Sequence, residues 1–178
     1  SFNQMFLGAE TIQNNLISAA DLLQRSGAHV VALQEADAPS RWSGNFDHME
    51  FLGQASGLTC RAHGLHDTSR FATYGTALMS NTTLHSAGTH SFASTPPTRT
   101  KGYVRSDVHW NPDNRLEEPM TVTLISVHLD FSRSSVRSAQ IQEMIEQLST
   151  INNPLVVMGD FNAEWGDKES AVKLLAES

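Results

Sequence analysis

At 178 residues, with 39% apolar and 17% charged side chains, the chain has the size and composition of one globular domain that buries about two thirds of its unfolded surface, and it holds no tract long and apolar enough to cross a bilayer. The single cysteine, Cys60, excludes an internal disulfide framework and a cysteine-based zinc cluster. Twelve basic against 19 acidic side chains leave a net charge of −7, which repels polyanions in general and makes any phosphate chemistry local.

In chain order, 9-AETIQNNLISAADLLQR-25 spaces Ile12, Leu16, Ala19 or Ala20, and Leu23 at helical intervals, and Gly27 supplies the stop. The β-rich run 28-AHVVAL-33 follows and ends at Gln34 and Glu35. A second helix is expected from Phe46 to Ala55, closing near Gly57, then a strand at 58-LTCRAH-63, with 63-HGLH-66 read as a solvated loop. Strands are expected at 75-GTALMS-80 and 102-GYVRSDVHW-110, separated by a loop in which 94-STPPTRT-100 denies regular structure. The segment 121-TVTLISVHL-129 alternates as a strand does, placing His128 on the side of Leu124 and Ser126. Ser132, Ser134 or Ser135 is expected to cap a helix with the buried stripe Val136, Ile141, Met144, Ile145 and Leu148. Asn152-Asn153-Pro154 turns the chain into 154-PLVVMGDFNAE-164, and 173-KLLAES-178 reads as helix. Strands and helices are intermixed, and some strands follow one another directly, which points to an α/β sandwich in one domain.

Three of these strands end in polar groups suited to one cation: Glu35, His128 with Asp130, and Asp160 with Asn162. Ligand sites in α/β sheets gather beyond strand ends, so residues far apart in sequence meet there. With extended backbone through Phe161, Asp160 and Asn162 point the same way and Phe161 points into packing, while Gly159 allows close approach. A hard cation such as Mg²⁺ takes oxygen ligands and needs only one or two carboxylates. Glu35 fits the main ligand, Asp160 the group that orients or deprotonates water, and Asn162 a donor to a phosphoryl oxygen. That division of labour describes metal-assisted hydrolysis of a phosphate ester. Taken singly, each group serves equally well as a strand-end cap or an Asx-turn. Trp42 is read as a substrate lip or as packing, and Arg133 and Arg137 as partners of phosphate or of a carboxylate, with the structural link favoured for Arg137.

Five blocks, 1-SFN-3, 31-VALQE-35, 74-YGTALMSN-81, 126-SVHLD-130 and 159-GDFNA-163, resemble in order the motifs of the endonuclease/exonuclease/phosphatase superfamily related to deoxyribonuclease I and the exonuclease III-type enzymes. The resemblance implies a DNase I-like four-layer α/β/β/α sandwich that hydrolyses phosphodiesters or phosphomonoesters with Mg²⁺ or Mn²⁺. It implies Asn3 beside metal and phosphate, Glu35 on the metal, His128 on the phosphate, and Asp160 and Asn162 aligning the nucleophile and stabilising the transition state. Asp160 is also the candidate for a second metal position. A cation for the substrate phosphate is implied near the next strand, where Arg99, Lys101 and Arg105 are available and Lys101 is favoured.

Members of the superfamily also carry a late Asp-His pair, and nothing after Asn162 provides one. Residues 1–178 are therefore expected to be the N-terminal two thirds or so of a single domain continuing past Ser178, and to hydrolyse poorly by themselves. The activity expected is that of a metal-dependent phosphoric ester hydrolase. A nonspecific nuclease of the same fold and a catalytically silent binding or scaffold domain are the alternatives. The substrate class, whether small molecule, lipid headgroup or nucleic acid, stays open, and a monomer is expected.

Overall fold

The computed structural model describes residues 7–37, 46–68, 73–111, 115–166 and 170–178. Ile12, Leu16 and Ala20 form the buried stripe of α1 (Ala9–Ser26), and Gly27 closes the helix in the left-handed region. After β1 (Val30–Asp37), Asp47 caps α2 (His48–Ser56) by accepting the N–H of Glu50. The helices pack as expected, with Ile12, Leu16, Met49 and Leu52 meeting Ala36, Ala77 and Met79.

β2 (Cys60–Thr68) and β3 (Thr73–Ser80) complete a three-stranded antiparallel sheet in the order β1-β3-β2. The second sheet has the order β4-β5-β6-β7, formed by β4 (His85–Ser91), β5 (Gly102–Trp110), β6 (Met120–His128) and β7 (Leu155–Asp160). Among the described residues only the β6–β7 pair is parallel, and α3 (Ser134–Leu148) is the crossover such a pair requires.

Ala62 and Leu78 of the first sheet meet Val104, Val108, Val122 and Leu124 of the second in a core between the sheets. On the far side, Ile125, Val127 and Leu129 pack with Ile141, Met144 and Leu148 of α3 and Ala171 of the short α4 (Ala171–Ala176). Three cores separate four layers, α/β/β/α, which is the expected architecture. The parity of β6 also follows the expected pattern. Leu124 faces the inter-sheet core, Ile125 and Val127 face α3, and Ser126 reaches β1 across the sandwich.

The structure departs from the sequence reading at β4, at β2 and at the start of α3. β4 is an additional strand, formed by the polar run HSAGTHS as an edge of the second sheet. β2 continues to Thr68, so 63-HGLH-66 lies in a strand and His66 is buried between the sheets rather than solvated in a loop. No serine caps α3: its N-cap is Arg133, and the hydroxyl of Ser132 donates to Asp130 instead. Asp130 instead accepts the N–H groups of Ser132 and Arg133, which lead into the first turn of the helix.

Candidate active site

β1, β6 and β7 bring their ends to one margin of the sandwich. β1 changes register against β3 between Gln34 and Ala36, so Glu35 occupies a bulge with φ 52°. The bulge is held from the opposite sheet. Gln34 Nε2 donates to Ser126 Oγ at 3.1 Å, and Ser126 Oγ donates to the Leu33 carbonyl at 3.1 Å. Ser126 precedes His128 on the same face of β6, so this strut registers the Glu35 edge against the His128 edge.

β7 runs beside β6 with Asp160 opposite His128. A Cβ at Gly159, where φ is 145°, would collide with the Val127 carbonyl, so only glycine lets the two strands approach this closely. Beyond Asp160 the strand does not continue as expected. Asp160 Oδ1 accepts the N–H of Asn162 at 3.0 Å in an Asx-turn, and Asn162 enters the left-handed region at φ 48°. A short polar side chain that bonds its own backbone two residues on wins over extension here. Asn162 Nδ2 then donates to the Leu129 carbonyl at 3.0 Å, using one of its two N–H groups. Phe161, half-buried, packs on the α3 core as expected.

His128 is 5% exposed and Lys101 is 6% exposed, and they meet: Lys101 Nζ stands 3.1 Å from His128 Nε2. On its other side His128 Nε2 lies 3.8 Å from Asp160 Oδ2. Burial, and then the Lys101 charge, push the His128 pKa down to about 4, against the opposing pull of Asp160 and Glu35. Its imidazole is therefore neutral at pH 7. Burial likewise lowers the Lys101 pKa, while the carboxylates of Glu35, Asp160 and Asp130 draw it back up. Glu35, Lys101, His128 and Asp160 thus share one electrostatic environment. Of the other two cations considered, Arg99 is paired with Asp67 at 3.4 Å, and Arg105 lines a separate polar cleft with Asp107, Thr123 and Asn153.

Asp130 is not at this margin. It is fully buried, and both its oxygens are taken by Thr98, Ser132 and Arg133, so it has no oxygen to offer a cation. Arg133 spends its guanidinium on Asp130, Thr98 and the Thr95 and Pro96 carbonyls, and Arg137 donates to the Asp130 carbonyl at 3.1 Å. Both arginines are therefore structural partners of this corner. Sequence reading missed Thr98; Gln140, which the sequence left open between a substrate and a structural role, turns its Oε1 to the Asp130 N–H at 2.9 Å and is structural. Asn3 and Trp42 lie outside the described residues.

Among the described residues no group of three or more His, Cys, Asp or Glu is arranged to hold a metal ion. The donor chemistry nevertheless fits a hard cation. Mg²⁺ keeps several waters and is commonly held by one or two carboxylates, and this margin offers Glu35 and the Oδ2 of Asp160, both within electrostatic reach of Lys101 and His128.

Comparison with known proteins gives a family and a fold. The family model for the Endonuclease/Exonuclease/phosphatase family matches residues 12–174. No curated protein matches. Among solved structures, the chain is similar to an endonuclease/exonuclease/phosphatase family protein from Leptotrichia buccalis C-1013-b, with TM-score 0.71 and 14% identity over 98% of this chain and 69% of that one. It is similar to sphingomyelinase C from Streptomyces griseocarneus, with TM-score 0.66 and 15% identity over 91% of this chain and 62% of that one. A D. rerio TDP2 complexed with single strand DNA product gives TM-score 0.63 and 15% identity over 94% of this chain and 58% of that one. The chain thus spans roughly three fifths to two thirds of the length of these structures.

Proposed function

The chain belongs to the endonuclease/exonuclease/phosphatase family, and from that premise we propose that it is a divalent-metal-dependent hydrolase of phosphate esters working by in-line attack of water. The observation that carries this reading is the meeting of Glu35, Lys101, His128 and Asp160, delivered by four different segments, at one margin of the sandwich.

Glu35 would hold Mg²⁺ or Mn²⁺, with Asn3 beside it and Asp160 as the candidate second position; the bound ion would neutralise charge on the phosphoryl oxygens. Asp160 Oδ2, the oxygen not engaged by the Asn162 N–H, orients the attacking water and accepts its proton. The remaining N–H of Asn162 Nδ2 donates to the phosphoryl oxygen as charge grows on it. Lys101 supplies a positive partner for the phosphate, and neutral His128 adds one N–H donor without adding charge.

A net charge of −7 supports a compact phosphodiester or headgroup over a long nucleic acid, which would need an extended basic groove. Relatives with this fold include both a sphingomyelinase C and a protein complexed with a DNA product. Hydrolysis of bis(p-nitrophenyl) phosphate by the full-length protein should require added Mg²⁺ or Mn²⁺ and be lost in Asp160→Asn. Failure to turn over this ester, together with no binding of either ion by calorimetry, would favour the scaffold reading instead.

A further inference from the structure

We propose that Asp130 is a positioning residue for the Lys101–His128 pair: its buried carboxylate fastens the loop before Lys101 to the corner after His128, so that ammonium and imidazole converge. The proposal rests on the phosphate-binding role assigned above to that pair.

The antiparallel ladder between β5 and β6 ends with Gly102 opposite His128. Lys101 lies just outside it, and its carbonyl accepts the Phe92 N–H at 2.9 Å, one step beyond the Ser91–Gly102 end of the β4–β5 pairing. The segment leading into Lys101 lies outside the strands; Arg99 ties it to Asp67 of β2, and Asp130 fastens it to the corner after β6. Asp130 Oδ2 accepts from Thr98 Oγ1 at 2.5 Å, and Oδ1 accepts the N–H groups of Ser132 and Arg133, each at 2.9 Å. Arg133 doubles the tie. Its NH2 donates to Asp130 Oδ2 and Thr98 Oγ1 at 3.2 and 2.8 Å, and also to the Thr95 carbonyl. Gln140 and Arg137 of α3 hold the Asp130 backbone N–H and carbonyl, which anchors the corner to the helix.

Every partner of the carboxylate is a donor, so the position calls for a group that only accepts. Burial by itself would raise the Asp130 pKa, but the bonds from Thr98, Ser132 and Arg133 hold it well below the usual carboxylate range. An asparagine would turn an amide N–H toward one of those donors and release one side of the loop. Asp130 has no path to substrate, and its effect therefore passes through the side chains it places.

The test compares wild type, Asp130→Asn, Lys101→Met and the double variant, each in the full-length protein, in Mg²⁺-dependent hydrolysis of bis(p-nitrophenyl) phosphate. Misplacement on the scale of an ångström costs about 100-fold, so Asp130→Asn should lose about that much kcat/KM with an unchanged circular dichroism spectrum. Asp130→Asn should cost much less in the Lys101→Met background than in wild type, and losses that multiply would overturn the proposal. A second readout needs no turnover. The nuclear Overhauser contact between the Lys101 side chain and the His128 ring should vanish in folded Asp130→Asn, and its persistence would also overturn the proposal. Should that variant not fold, Thr98→Val, which removes one bond and keeps the carboxylate, carries the same two expectations. Loss of the contact in a protein that hydrolyses no ester would support the clamp while rejecting the enzyme reading.

Discussion

Two side chains of the candidate site sit on backbone that L-residues avoid: Glu35 at φ 52° and Asn162 at φ 48°. Asparagine tolerates that region, and Asn162 is further held by the Asp160 carboxylate. Glutamate has no such compensation, and its backbone strain is about 1–2 kcal/mol. Glu35→Gly is therefore expected to raise stability by up to about 1 kcal/mol while abolishing metal-dependent turnover. Urea midpoints and rates from one preparation check both halves, and a less stable glycine variant would show that the bulge is not strained. Asp160→Asn, at an exposed and nearly isosteric position, should move stability by no more than about 0.5 kcal/mol yet lower kcat by about 100-fold or more. Near-normal rate would remove Asp160 from the chemistry. Gly159→Ala works in the opposite sense: its Cβ meets the Val127 carbonyl at φ 145°, and a loss of about 3 kcal/mol is expected, read from the same urea curves.

At the scale of elements, the candidate site depends on how β1 docks on β6. Ser126, fully buried, accepts from Gln34 and donates to Leu33. Ser126→Ala would leave both partners unsatisfied and is expected to cost about 1–3 kcal/mol. It should also lower turnover, because the strut sets the Glu35 bulge beside His128. Full activity with full stability would show that apolar packing alone sets the register. The elements themselves were legible to different degrees. α1 and α2 announced themselves through apolar spacing and a closing glycine, and β5, β6 and β7 through apolar runs that end in turn or strand-end residues. β4 did not, because HSAGTHS is largely exposed and has little apolar pattern to read; its ladder to β5 holds it in place. The HGLH stretch misled for the opposite reason, since a polar tetrapeptide hid a buried histidine. At the site, Glu35, His128 and Asp160 were visible because strand ends converge by rule. The Asp130 clamp was not, because a partner such as Thr98 lies far away in sequence and only the assembled sheet brings it close.

For the whole molecule, the two sheets share a polar contact as well as a core, and it carries a pH dependence. His66 of β2 places Nε2 at 2.8 Å from Thr76 Oγ1 of β3 and Nδ1 at 3.1 Å from Ser91 Oγ of β4 in the opposite sheet. A Cβ at Gly102 would strike its ring, so that glycine makes the room. Burial, followed by the fields of His63, His128, His90 and Lys101, lowers the His66 pKa from 6.5 to about 4. The unfolded chain therefore takes up this proton near pH 6.5, and the folded one only near pH 4. The resulting stability is fully present above pH 6.5 and is lost progressively as pH falls toward 4, up to about 3 kcal/mol. His128, lowered to about 4 as well, acts in the same window and with the same sign. Asp130 has a depressed pKa instead, so its contribution is lost only below the usual aspartate range. Unfolding free energies from urea titrations should thus fall between pH 6.5 and 4 with a limiting slope near two protons in the wild type. In His66→Gln the slope should approach one. An unchanged slope in that variant would mean that His66 takes up its proton without opposing the fold, and that the bridge between the sheets tolerates a charge.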